Sequence, residues 1–159
     1  MAETFEIDER TAPRFLTMDR RIPEAIRQLV EESDGCVTMN FAVGGSACIR
    51  RAIRKTFEVE DVDAEDWAAS VQALATKHQG VAPTLFQVIE LLGAGDDTLH
   101  NDALRALIAT FKGILYEVYV LGEERAETLA YLSKLLQAVD REGATQRTPK
   151  NRTAQFPKR

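Results

Sequence analysis

The 159-residue chain is 45% hydrophobic and 28% charged, the size and balance of one ordinary globular domain that can bury a core, which leaves little room for a second. Charge interrupts every apolar run well short of the roughly 20 residues that cross a bilayer, and the first thirty residues are too acidic for a signal peptide, so a cytoplasmic protein without a membrane span is expected. The net charge of −5 is unevenly spread: Arg141, Arg147, Lys150, Arg152, Lys158 and Arg159 against Glu142 leave the last nineteen residues at +5 and the body at −10. Such a body repels phosphate backbones, while the tail can attract nucleic acid or lie along its own acidic surface.

Residues 1–21 lack helical periodicity and contain Pro13, which predicts an extended N-terminal arm. A first helix is expected from Pro23, with Glu24 at its positive end and Ile26, Leu29 and Val30 as its apolar stripe. It ends at Ser33 or continues past Gly35. Between Cys36 and Phe57, Gly44, Gly45, Ser46 and Ala47 form a small-residue patch that marks either a break or a close helix contact. A phosphate loop is excluded there, because no buried strand precedes the glycines and no Lys-Ser/Thr pair follows. Cys36 and Cys48 match neither a zinc knuckle nor a redox pair and read as small buried hydrophobes, so no metal, disulfide or cofactor is expected.

Asp61 or Asp63 can cap a third helix running to about His78, with Trp67, Val71 and Leu74 on one face and Gly80 beyond its end. Pro83 opens a fourth helix through Leu92, broken by residues 93–98. From Asn101 the strongest signal begins: Leu104, Ile108, Phe111, Leu115 and Val118 recur at +4, +3, +4 and +3, and Leu107, Ile114 and Leu121 widen the stripe. This is the expected central strut, over 101–121. Gly122 with Glu123 and Glu124 after it predicts a corner or kink, a last helix carries Leu129, Leu132, Leu136 and Val139, and Gly143 is expected to stop it. The fold class is therefore all-α, a single bundle of five to six helices over 22–141 around a long central helix, followed by a basic, disordered tail over 142–159.

Arg14-Phe-Leu-Thr, the Ile22-Pro23 helix start, Ala47-Cys-Ile-Arg-Arg-Ala-Ile53, and Leu91-Leu-Gly93 followed by an acidic loop and His100 occur in an order that resembles the bacterial helical family called domain of unknown function 4145. The resemblance covers about residues 14–121 and implies a HEPN-like helical dimer in a defence or stress setting. Some HEPN proteins are metal-independent ribonucleases in which an arginine precedes a histidine by four to six residues. There the histidine activates a ribose hydroxyl while the guanidinium steadies the phosphate. His100 fits the histidine, but residues 94–96 are Ala, Gly and Asp, and Arg54 stands where the family's Arg-Arg-x-x-Glu pattern has its glutamate.

Arg50, Arg51 and Arg54, with Lys55, place positive charge along one helix side and read either as an anion or RNA site or as partners for the chain's 25 acids. His100 reads either as a general base or as the residue closing a loop before an Asn101 N-cap. His78 follows Lys77 at a helix end and suggests no site. Trp67, Tyr116 and Tyr119 fall on helical faces and read as core or interface rather than as base-stacking platforms. The apolar face of the central helix exceeds what its neighbours need, so Leu104, Ile108, Phe111, Leu115 and Tyr119 are expected to meet a second copy. The functional expectation is a non-catalytic homodimeric interaction module, docking a protein partner or reaching nucleic acid through the tail. The rivals are a ribonuclease using His100 and an anion sensor using Arg50, Arg51 and Arg54.

Overall fold

The computed structural model describes residues 18–146, all of whose regular elements are helical. The expected arm over 1–21 and the basic tail therefore lie largely outside the described residues. The chain divides into two compact units, one ending at Gly122 and one beginning at Glu123.

In the first unit, α1 spans Glu24–Thr38 and α2 spans Ala42–Val59. α1 does run past Gly35, and Asn40 ends it in the left-handed region at φ 58°. Asn40 N–H donates to the Val37 carbonyl and Phe41 N–H to that of Cys36, which satisfies two of the last carbonyls of α1. The break thus falls at residues 39–41, ahead of the glycines rather than at them. α2 ends in the same way: Asp61 takes φ 56°, and Val62 and Asp61 donate to the Phe57 and Glu58 carbonyls. Short polar side chains tolerate this backbone better than other non-glycine residues do.

Asp61 is therefore the terminator of α2 and not the cap of α3, which corrects the expectation. α3 spans Trp67–Lys77, and its cap is Asp66, whose carboxylate accepts from Ala68 N–H at 3.1 Å. α4 spans Pro83–Gly93 with proline in its first turn, where the missing amide proton costs nothing. α5 spans Asn101–Leu115 and passes into a π-helical turn over Tyr116–Leu121. Together these fill the expected central position, packing on α1, α2 and α4.

The core collects Ile26 and Val30 of α1, Ile49, Ile53 and Phe57 of α2, Leu74 of α3, Ile89 of α4, and the wide stripe of α5, all buried. Two small residues set the helix spacing. A Cβ on Gly45 would lie 2.8 Å from Leu104 Cδ2, and the Ser33 hydroxyl donates to the Gly45 carbonyl at 2.8 Å, so α2 approaches both α1 and α5 at this point. Of the two readings of the small-residue patch, close contact is the one realised at Gly45. At the end of α4, a Cβ on Gly93 would collide with the indole of Trp67, which instead donates its ring N–H to the Ile89 carbonyl at 3.1 Å.

The second unit is built on α6, Gly122–Gln146. Gly122 itself is helical at φ −61°, ψ −44°, and the irregularity expected at it lies just before it, in the π turn. Nor does Gly143 stop the helix. Glycine lowers helix stability by about 1 kcal/mol without forbidding the conformation, and α6 continues three residues beyond it. Leu129, Leu132, Leu135, Leu136 and Val139 share one face of α6 and are 44–67% exposed. None of the described helices is long and apolar enough to cross a membrane.

Candidate functional site

The α2 arginines diverge. Ser46, Arg50 and Arg54 are spaced i, i+4 and i+8 and so share one helix face, which meets the α4–α5 connection. Ser46 Oγ accepts from Leu99 N–H at 3.0 Å. Arg50 is only 6% exposed; its Nε donates to the Gly93 carbonyl at 3.2 Å and its Nη1 to that of Asp97 at 2.5 Å. Gly93 is the last residue of α4, so Arg50 caps an otherwise unpaired helical carbonyl and holds the following loop with the other arm of its fork. Arg54 stands 4.0 Å from Asp96 and 6.0 Å over the Trp67 ring, half-exposed. Arg51 is exposed.

The three arginines read as one binding set therefore occupy different environments, and the most buried has its guanidinium engaged by backbone. His100 is exposed at the end of the same loop and precedes α5 without a side-chain capping bond. Asn101 is not the cap either, which corrects that reading. It is the first helical residue, and its amide donates 2.6 Å to Asn40 Oδ1, tying the start of α5 to the α1–α2 turn.

The expected interface set is a core set. Leu104, Phe111 and Leu115 are fully buried and Ile108 is 4% exposed within one chain, because α1, α2 and α4 cover α5 on several sides and use the whole breadth of its stripe. Tyr119 is half-buried, and its hydroxyl points inward.

Its partner is a carboxylate that the sequence reading passed over. Glu60, at the C-terminal end of α2, is 9% exposed and accepts from Tyr119 Oη at 2.7 Å, shares a hydrogen bond with His78 Nε2 at 2.8 Å, and lies 3.1 Å from Lys77 Nζ. Lys77 also donates to the Glu60 carbonyl oxygen. Burial by itself would raise the carboxyl's pKa, but hydrogen bonds from Tyr119, His78 and Lys77 outweigh it and hold the pKa below the ordinary value. The same contact, added to burial, raises the Tyr119 phenol well above its usual range. A carboxylate orienting a histidine is half of a general-base arrangement. Here, however, every donor ties the ends of α2 and α3 to the π turn. His78, set aside in the sequence, is one leg of this clasp. His78 and Tyr119 stand 18 and 59 residues along the chain from Glu60, and no local spacing announces them.

Cys36 and Cys48, expected as small buried hydrophobes, are free and partly buried. Burial, then the neighbouring Cys36 and Glu32, raise the Cys48 thiol's pKa, and a thiol held protonated is a poor nucleophile. Among the described residues no cluster of three or more His, Cys, Asp or Glu side chains could hold a metal.

Two features face outward. A shallow cavity of about 480 Å³ opens between α1 and α5, floored by Ile108, Ala109, Gly113 and Tyr116 with Val37 opposite, and the Lys112–Asp34 ion pair is among its walls. The second is the apolar face of α6. No family model, curated protein or solved structure matches this chain.

Proposed function

We propose that this chain is a non-catalytic helical interaction module that acts as a homodimer. The observation that carries the reading is the α6 face, where five large aliphatic side chains on one 25-residue helix are exposed to water. An apolar stripe of this breadth on a helix is the form in which a partner helix is received. The placement of the polar residues favours binding over chemistry. Arg50, the most buried of the three arginines, is engaged by the carbonyls of Gly93 and Asp97 and is not available to a His100 ribonuclease.

The resemblance to domain of unknown function 4145 adds a bacterial defence or stress setting to this proposal, in the cytoplasm, with the module docking a further protein. Sedimentation velocity of the full chain across the micromolar range is the direct test, and a mass of twice 17.7 kDa is expected. A monomer throughout that range overturns the dimer. Metal-independent RNA cleavage that disappears in His100→Ala, with the fold retained, overturns the non-catalytic part.

A further inference from the structure

All of the residues lining the cavity between α1 and α5 belong to the first unit. Its α5 side is one helical stripe, Arg105, Ile108, Ala109, Lys112, Gly113 and Tyr116, spaced +3, +1, +3, +1 and +3, and Asp34 and Val37 of α1 stand across from it. Ala109 and Gly113, one turn apart, give the floor its depth. No neighbour requires Gly113 to be small: a Cβ built there has nothing within 4 Å, although glycine weakens a helix. What its missing side chain leaves is open space in the trough. The volume of about 480 Å³ falls within the roughly 300–1,000 Å³ of small-molecule sites.

The charges of the lining are distributed unequally. Lys112 of α5 pairs with Asp34 of α1, which fixes one wall and answers both charges. Arg105 is exposed and, among the described residues, has no hydrogen-bond or ion-pair partner. Along the helix axis Arg105 stands about 16 Å from Tyr116, at about 1.5 Å per residue. Glu117, beyond Tyr116, puts an acid at the far end.

We propose that this trough binds a small amphiphile with an apolar body and a single carboxylate. The carboxylate meets Arg105, whose planar fork can donate two parallel hydrogen bonds to it. The body lies over Ala109 and Gly113 toward Tyr116, between the Lys112 stem and Val37. Opposite charges at the two ends set the direction, because an anionic head turned the other way meets Glu117. For the same reason a molecule charged negatively at both ends is excluded. The proposal goes beyond the dimer reading and does not depend on it, since no residue of α6 takes part.

Amide chemical-shift titration of the full chain at pH 7 with octanoate, and with octanol as the uncharged probe, tests this. Saturable shifts over 105–116 are expected, with octanol bound about fivefold more weakly, the size of one solvent-accessible ion pair. Arg105→Gln, a change at an exposed position, should bring octanoate down to the affinity of octanol and leave octanol unchanged. Gly113→Leu places a side chain in the trough on a better helix former, so binding of both probes should fall at least tenfold while the thermal midpoint holds or rises. Octanol bound as tightly as octanoate overturns the proposal, as does octanoate binding that survives either variant unchanged. So does the absence of saturation in the millimolar range. Shifts at 105–116 that appear on dilution without octanoate would put a second copy of the chain in the trough, and overturn it too.

Discussion

Replacing Arg50 with methionine keeps most of the side chain's length and removes its hydrogen bonds. The variant leaves the Gly93 carbonyl buried without its donor and the Asp97 carbonyl without the shorter of the two contacts. A hydrogen bond from a charged donor contributes about 1.5–3 kcal/mol net. The Asp97 contact is only partly buried and belongs at the low end, and relief from desolvating the guanidinium offsets part of the total. The expected cost is about 2–4 kcal/mol, read in urea as a lower midpoint with an unchanged slope. Amide exchange should accelerate first over 94–100, the segment the fork holds. Arg50→Lys should recover less than half, because a single ammonium on a flexible stem cannot reach both carbonyls. A midpoint that stays put or rises in Arg50→Met refutes the clasp. It would instead fit an anion-binding arginine, whose removal relieves repulsion from Arg51 and Arg54.

The Glu60 clasp makes stability pH-dependent in both directions. Its folded pKa lies below the unfolded value of 4.5, so its contribution is complete above that pH and is lost as pH falls through the folded value; Glu60→Gln should flatten this acid limb of a stability profile. Tyr119 has the opposite sign. Its phenol ionises in the unfolded chain near pH 10 but not in the folded one, so stability should decline above pH 10, and Tyr119→Phe should reduce that decline, leaving the share due to the raised Cys48 thiol, while costing about 1–2 kcal/mol at neutral pH. The two helical glycines Gly93 and Gly113 should behave oppositely. Nothing lies within 4 Å of a Cβ built on Gly113, so Gly113→Ala should stabilise by about 0.5–1 kcal/mol, whereas Gly93→Ala must displace the Trp67 ring and should lower the thermal midpoint. Equal shifts in the two variants would contradict the packing described at the end of α4.

Periodicity and end signals were enough to give the all-helical class and the approximate positions of α1, α3, α4 and α5, but not the start of α2 or the course of α6. Pro23 and Pro83 mark their helix starts because proline is tolerated only there, and the +4, +3 recurrence from Leu104 to Val118 identifies α5 because one face of a helix repeats at that interval. Local chemistry was less decisive where one residue type serves two purposes. Aspartate caps an N-terminus or terminates a helix in the left-handed region, and only the chain's path assigns the first role to Asp66 and the second to Asp61.

The same limit governs the functional surface. Leu104, Ile108, Phe111 and Leu115 follow the spacing that Leu129, Leu132, Leu136 and Val139 follow later, yet the first group is core and the second is exposed. Spacing records that a helix has an apolar face. What covers that face depends on which other helices reach it, as α1, α2 and α4 do for α5. Likewise, the one-dimensional pattern shows that Arg50 and Glu60 are charged, and only the fold decides that one is held by carbonyls more than forty residues away and the other by donors from two other elements. Helix propensity and periodicity are matters of near neighbours, so the amino-acid order determines the helical class here, though not every helix end. The fate of a charge or an apolar stripe depends on distant segments, and the tertiary structure makes that decision.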